Sequence, residues 1–281
     1  MPSKQPIPYY GGKVKMLDTL LPLVDQTPHR MYAELFAGGA SLYFAKKKSP
    51  VELLNDKNRN VTNLYAVMKD KVLSEQLCSM ISDTLHCEAT HAYANKIYHS
   101  NGRGYSRVKR AWAVWVTANM SFSAQLGGHF RWTSNKNDNW HPATSIHKRR
   151  TMMNDLCRRL ETTAILSRDA VKILKRIDMP DLLVYLDPPY VGVRQGHYSG
   201  YTQEHFDELL DALDNMQGKF IMSSYSNPSL TDYVNKNQWF YEEHKMRLGV
   251  TSDNTEKTEI LTFNFRRPVI EKPQFIQLEI Q

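Results

Sequence analysis

Residues 30–56 read Arg-Met-Tyr-Ala-Glu-Leu-Phe-Ala-Gly-Gly-Ala-Ser-Leu-Tyr-Phe-Ala-Lys-Lys-Lys-Ser-Pro-Val-Glu-Leu-Leu-Asn-Asp. The apolar run over Arg30 to Phe36 predicts a buried strand, Ala37-Gly-Gly-Ala40 a turn, Ser41 to about Lys48 a helix, and Val51 to Asp56 a second strand. A strand, a helix and a strand in so few residues make a βαβ unit, which requires a parallel sheet with right-handed crossovers.

Working outward, five more strands are expected: Ala164–Ser167, Leu182–Leu186, Lys219–Ser224, Trp239–Glu243 and Glu259–Phe265. Between the middle pair, Thr202 to Leu213 has the helical period, with Phe206, Leu209, Leu210 and Leu213 on one face and Thr202 as cap. Residues 60–160 instead read as helical and irregular. The chain therefore divides into an α/β domain in two pieces, 1–59 and 161–281, with 60–160 inserted between them.

The 281 residues, 41% of them hydrophobic, suffice for a large core. Cys78, Cys87 and Cys157 are odd in number and widely spaced, which argues against a disulfide framework and a zinc site; no metal is expected. The start, MPSKQPIPYYGGK, lacks a signal-peptide core, and no apolar run reaches the roughly 18 residues of a membrane helix. A cytoplasmic protein that does not contact membranes is expected.

The formal charge of +7 is concentrated in one place. From His91 to Arg150 stand ten basic residues (Lys96, Arg103, Arg107, Lys109, Arg110, Arg131, Lys136, Lys148, Arg149 and Arg150) against the single acid Asp138. Four of the five tryptophans share that window. Cations interleaved with aromatics suit a nucleic acid, since phosphates attract the one and unstacked bases the other. Trp112 and Trp115, three apart, read instead as the core of an amphipathic helix.

The glycine turn stands at a strand's C-terminal end, where open α/β sheets bind ligands. Ala40 occupies the position at which G-x-G-x-x-G requires its second glycine, which disfavours a dinucleotide but leaves room for an adenosine ligand. Asp56 ends the next strand, 18 residues after Gly38, where a carboxylate can accept from ribose hydroxyls. Further on, Leu183-Val-Tyr-Leu-Asp-Pro-Pro-Tyr190 ends a buried strand in an acid, a stiff turn and an aromatic face. An adenine amino group is a poor nucleophile because its lone pair is delocalised. Asp187 and the Pro188 carbonyl could accept its two hydrogens, with Pro188 and Pro189 rigid and Tyr190 offering a stacking face.

Tyr9-Tyr-Gly-Gly-Lys13, Glu34-Leu-Phe-Ala-Gly-Gly39, Leu54-Asn-Asp56 and Asp187-Pro-Pro-Tyr190, in this order, resemble the alpha-group, Dam-type family of S-adenosylmethionine-dependent DNA adenine methyltransferases. The resemblance implies a Rossmann-like methyltransferase fold with a seven-stranded mixed sheet and an inserted, mostly helical target-recognition domain. It also implies that S-adenosylmethionine is held by Tyr9, Lys13, Glu34, Phe36, Gly38, Gly39, Asp56, Asp169 and Asp187. The catalytic residues would be Asp187, Pro188, Pro189 and Tyr190. Tyr9 stands where the family often has tryptophan.

The expected substrate is double-stranded DNA, bound through Arg103, Arg107, Lys109, Arg110, Arg131, Lys136, Lys148 and Arg149 by a monomer or weak dimer in a bacterial or phage-infected cell. Residues Trp115–Ser123 and Gly127–Trp132 do not reproduce the recognition hairpin of members that read GATC, so the target sequence stays open. Val191–Tyr201, with three glycines, reads as a mobile lid. Rival readings are an amino-group methyltransferase acting on RNA, cytosine or a protein glutamine, and an inactive DNA-binding relative.

Overall fold

The computed structural model describes residues 5–132, 153–191, 200–247 and 256–267. Seven strands form one sheet: β1 (Met31–Glu34), β2 (Val51–Asn55), β3 (Ala164–Leu166), β4 (Leu182–Leu186), β5 (Lys219–Ser224), β6 (Phe240–Arg247) and β7 (Glu256–Phe263). Their order is β3-β2-β1-β4-β5-β7-β6. β1 to β5 pair in parallel, and β7 runs antiparallel between β5 and β6. The mixed seven-stranded sheet is thus as expected.

Alternate residues point to opposite faces. Tyr32, Leu54, Leu183, Tyr185, Ile221 and Leu261 enter one apolar cluster, whereas Ala33, Leu35, Leu53, Val184, Leu186 and Met222 enter another. The first face is covered by α1 (Leu17–Gln26), α2 (Ser41–Ala45), α3 (Arg59–Lys69), α4 (Lys71–Ser82), α5 (Glu88–His99), α6 (Arg107–Met120) and α7, described over 153–160. The second is covered by α8 (Ala170–Ile177), α9 (Gln203–Asp214) and α10 (Pro228–Asn237). All five residues of β4 are buried, as expected of a strand covered on both faces and paired on both edges.

The local sequence accounts for where many helices begin. The side chains of Asn58, Asp70, Ser106, Asp169 and Asn227 each accept a backbone N–H of the first turn. Pro228 fills the first position of α10, where its missing N–H has no intrahelical partner to lose. Thr202 opens α9 as expected, its N–H donating to His205 Nδ1 at 3.1 Å.

Two expectations are corrected. α2 ends at Ala45 instead of continuing to Lys48, because Lys46 turns inward and donates to Glu52 at 2.7 Å. α6 is not amphipathic beyond its first turn. From Ala111 to Met120 every residue is buried, since α3, α4 and α5 all pack against it. Trp112 and Trp115 do belong to that core, with Trp112 Nε1 donating to Thr84 Oγ1 at 2.7 Å.

Among the described residues no helix is long and apolar enough to cross a membrane.

Candidate active site

The sheet order reverses at β1. The chain leaves β1 toward β2, while β4 lies on its other side, so the loops after β1 and β4 part and leave a crevice. Glu34 is in register with Tyr185, which places the glycine turn and Asp187 side by side at the C-terminal ends of neighbouring strands. Residues some 150 apart in sequence thereby share one cleft.

The cleft consists of two cavities joined at Phe36 and Pro189, which line both. The smaller, about 50 Å³, lies among Tyr9, Lys13, Glu34, the turn Ala37–Ala40 and Asp187–Tyr190. The larger, about 330 Å³, is lined by Leu35, Asp56, Asp169, Val171, Tyr201 and their neighbours, a size at the lower end of ordinary ligand pockets.

Lys13, in a short 3-10 helix, is only 5% exposed, and its Nζ donates to Asp187 Oδ1 at 2.7 Å and Oδ2 at 2.8 Å. Burial pulls the ammonium down, but the charges of Asp187 and then Glu259 more than offset this and raise it above the ordinary lysine value. Burial raises the Asp187 carboxyl, Lys13 opposes the shift, and Glu259 adds to it. Tyr190 hydroxyl donates to Asp187 Oδ1 at 3.3 Å and to Glu259 Oε1. Its ring packs on Tyr225 with centroids 4.2 Å apart.

Glu34, 2% exposed, accepts from Tyr32 hydroxyl at 2.8 Å. Burial pushes its carboxyl up to about 7, against the pull of that hydrogen bond and of the Lys46 charge. Asp56, 3% exposed, accepts the N–H of Gly38 at 2.8 Å and of Asn58 at 2.7 Å. It therefore braces the glycine turn from behind as well as lining the larger cavity. Burial raises its carboxyl, and the two amides hold it back. Asp169 caps α8 through Lys172 N–H at 3.0 Å and lines the same cavity.

The glycines serve a purpose the sequence did not show. A Cβ on Gly38 would lie 2.9 Å from Tyr9 Cε1, and one on Gly39 would lie 2.8 Å from Tyr9 Cβ. The turn is bare so that Tyr9 can lie against it, and Gly38 also has φ +47°. Gly38→Ala is accordingly expected to displace Tyr9 and, if the cleft holds S-adenosylmethionine as the resemblance implies, to weaken its binding at least tenfold with the fold intact, read by calorimetry and circular dichroism; unchanged affinity would show that Tyr9 can move without consequence.

Sequence reading assigns Glu259 no role, yet the structure brings it to the same cluster. It sits in β7, 3% exposed, with Lys13 Nζ at 3.3 Å. The signal that could have found it is a lone acid opening the apolar run Ile260-Leu-Thr-Phe263. Asn264, four residues after that strand position 260, is architectural: it accepts from Phe220 N–H and donates to Gly218 O, both at 2.9 Å.

Of the residues expected to bind DNA, Arg103, Arg107 and Lys109 are exposed. Arg110 is half-buried, its guanidinium lying over Gly102. Arg131 is half-buried beside Trp132, which is 73% exposed. Lys136, Lys148, Arg149 and most of the expected lid, residues 192–199, lie outside the described residues.

Solved structures similar to this chain include precorrin-6y C5,15-methyltransferase from Geobacter metallireducens GS-15, 10% identical over 89% of this chain and 86% of that one, at a TM-score of 0.38. Another is an rRNA methylase from Streptococcus thermophilus, 9% identical over 89% and 96%, at 0.35. No curated protein matches. The decisive similarity is in the sequence. Residues 9–248, which carry the Tyr9–Lys13 motif, the glycine turn and Asp187–Tyr190, match a protein-family profile, and the chain belongs to that family, the D12 class N6 adenine-specific DNA methyltransferases.

Proposed function

We propose that the protein everts an adenine from duplex DNA and methylates its exocyclic nitrogen by direct displacement, with S-adenosylmethionine lying along the cleft from Lys13 to Asp169. The observation that carries this reading is the position of Asp187, which lines the smaller cavity two residues before Pro189, where the two cavities meet, with the Tyr190 hydroxyl 3.3 Å from its carboxylate.

The lining fits the cofactor. Phe36, Leu35, Val171 and Tyr201 offer apolar faces to a base, and Asp56 and Asp169 offer acceptors to ribose hydroxyls and an exocyclic amino group. Glu34 is buried with no cation in contact among the described residues, so a ligand carrying positive charge would complete it. When bound, S-adenosylmethionine supplies an electrophilic methyl group on a sulfonium.

The residues of the chain do the rest. Asp187 and the Pro188 carbonyl accept the two amino hydrogens and draw the nitrogen toward a tetrahedral shape, localising its lone pair. Tyr190 stacks on the everted base, which offsets the few kcal/mol of eversion. Methylation makes the departing proton acidic, so Asp187 acts as an orienting acceptor and a strong base is not needed.

Arg103, Arg107 and Lys109, which are exposed, with Arg110, Arg131, Lys136, Lys148 and Arg149, serve as phosphate contacts of a DNA-engaging unit over residues 60–160, the remainder forming the catalytic unit. The protein acts in the cytoplasm as a monomer or weak dimer. The alternatives on RNA or cytosine, and an inactive relative, are not favoured, because the family is adenine-specific and the Lys13, Asp187 and Tyr190 contacts are intact.

Incubation with tritiated-methyl S-adenosylmethionine and genomic DNA lacking methyladenine, followed by nucleoside analysis, is expected to place label in N6-methyldeoxyadenosine. Label in cytosine, or no label in DNA at all, overturns the proposal. A pH dependence follows as well. Glu34 holds its proton more tightly folded than unfolded, so its contribution to stability declines as pH rises from the ordinary carboxylate range to about 7. Pairing with a cationic ligand requires the ionised form. Cofactor affinity should therefore rise with pH up to about 7 and level off above it, and Glu34→Gln should flatten the curve; calorimetry between acidic and mildly alkaline pH measures both.

A further inference from the structure

Two carboxylates share a single ammonium behind the reacting end of the cleft. Lys13 Nζ engages both oxygens of Asp187, at 2.7 and 2.8 Å, and stands 3.3 Å from Glu259 Oε1. The side chain of Asp187 is 21% exposed and faces the cleft, whereas that of Glu259 is 4% exposed and lies deeper. The Tyr190 hydroxyl bridges them, donating to Glu259 and reaching Asp187 at 3.3 Å.

The arrangement sets a conflict for any amine that approaches Asp187. Both of its oxygens already accept from Lys13, so an incoming amino hydrogen competes with a charged donor. Releasing Lys13, itself only 5% exposed, would leave a buried ammonium without a counterion, a costly state. Glu259 is within reach of that ammonium with only a small rotation of the lysine side chain, since it already lies 3.3 Å away.

We propose that Glu259 is a positioning residue that takes over the Lys13 ammonium while Asp187 accepts the hydrogens of an exocyclic aromatic amine, and that its bond to the Tyr190 hydroxyl keeps the stacking ring in place during the exchange. This inference rests on the assignment of Asp187 as the amine acceptor. Among the described residues, the other ionisable groups acting on the cluster are Glu34 from β1, Tyr185 from β4, held by Ser223 at 2.9 Å, and Tyr225 beyond β5. None of them offers Lys13 a second anion at contact distance. Burial is the main cause that raises the Asp187 carboxyl; the Lys13 charge opposes it and the Glu259 charge adds to it, so the two acids do act on one another.

The test is Glu259→Gln, which preserves size and an acceptor for Tyr190 but removes the charge. With Lys13 then confined to Asp187, kcat on duplex DNA should fall about tenfold to a hundredfold, the worth of a hydrogen bond to a charged group, with KM for DNA little changed. The acid limb of the pH profile should move to lower pH, because the charge that raised Asp187 is gone. Adding Lys13→Met to Glu259→Gln should recover part of the lost kcat at pH 8.5, by freeing Asp187.

A structural role alone would give additive losses and no shift of the acid limb, and either result overturns the inference. If Glu259→Gln does not fold, Glu259→Asp, one methylene shorter, should lower kcat several-fold with the wild-type acid limb; a wild-type kcat there overturns it too. A wild-type protein that transfers no methyl to adenine overturns the proposed function and this inference together, whereas an active wild type with additive variants overturns the inference alone.

Discussion

Asp187→Asn is expected to lower methyl transfer to DNA by about 10²–10³-fold, the loss typical of removing one preorganised electrostatic contact to the reacting group. Asparagine keeps the shape of the turn and one acceptor oxygen, but it loses the charge and directs an NH₂ donor toward an amine that already carries two hydrogens. The fold should survive. Lys13 retains Glu259 as counterion at 3.3 Å, and burial already disfavours the charged form of Asp187. The measurement is label transfer to DNA free of methyladenine, beside calorimetric S-adenosylmethionine affinity and thermal unfolding. A variant that folds, binds cofactor and transfers at the wild-type rate would remove the basis for the mechanism.

Glu52→Ala should have its large effect on stability and little on chemistry. Glu52, 2% exposed near the start of β2, accepts from Lys46 at 2.7 Å, from Ser49 N–H at 3.0 Å and from both terminal nitrogens of Arg159. The Lys46 side chain is fully buried. Its ammonium lies 4.1 Å from the Tyr32 ring centroid, and the Arg159 guanidinium lies at the same distance from that of Tyr43.

Removing the carboxylate leaves two cations packed on aromatic faces without an anion, a loss of about 3–5 kcal/mol for a broken buried pair. For a chain of this size that corresponds to a fall in Tm on the order of 10 °C. Burial alone would raise the Glu52 carboxyl, but Arg159 and Lys46 lower it below the ordinary range. Its contribution is thus present above the ordinary carboxylate value and lost as pH falls through the depressed one, so the variant should lose that part of the acid dependence of stability. Thermal melts from pH 3 to 8 check both effects, and a melting temperature within a degree or two of wild type would contradict the first.

The location of this cluster explains why the two predictions separate. Glu52 stands at the opposite end of the sheet from the C-terminal strand ends that carry Asp187 and the glycine turn. A change there alters how much protein is folded, while the cleft of the folded fraction keeps its geometry.

Much of this arrangement is written in local sequence. The uniformly apolar run Leu182 to Leu186 identifies a doubly covered strand, because only such a strand dispenses with a polar alternation. The abrupt Asp-Pro-Pro-Tyr that follows marks the end of the strand, and the bare Gly38-Gly39 marks a place where something must lie close. The Asn58, Asp70, Asp169 and Asn227 caps lie in residue types whose short polar side chains satisfy the first N–H groups of a helix. These readings hold because each depends on interactions within a few residues of the chain.

The partners of those residues depend on contacts that no local pattern encodes. That the object lying against Gly38 and Gly39 is Tyr9, that Lys13 reaches Asp187, and that Glu259 stands behind both follow from strand order and register, which bring β1, β4 and β7 residues to one end of the sheet. The full burial of α6 from Ala111 onward likewise follows from three helices closing around it, not from its own period. A peptide's neighbours in sequence set its conformation, but the charge state and working partners of a buried side chain are set by what long-range packing places against it and how much water that packing excludes.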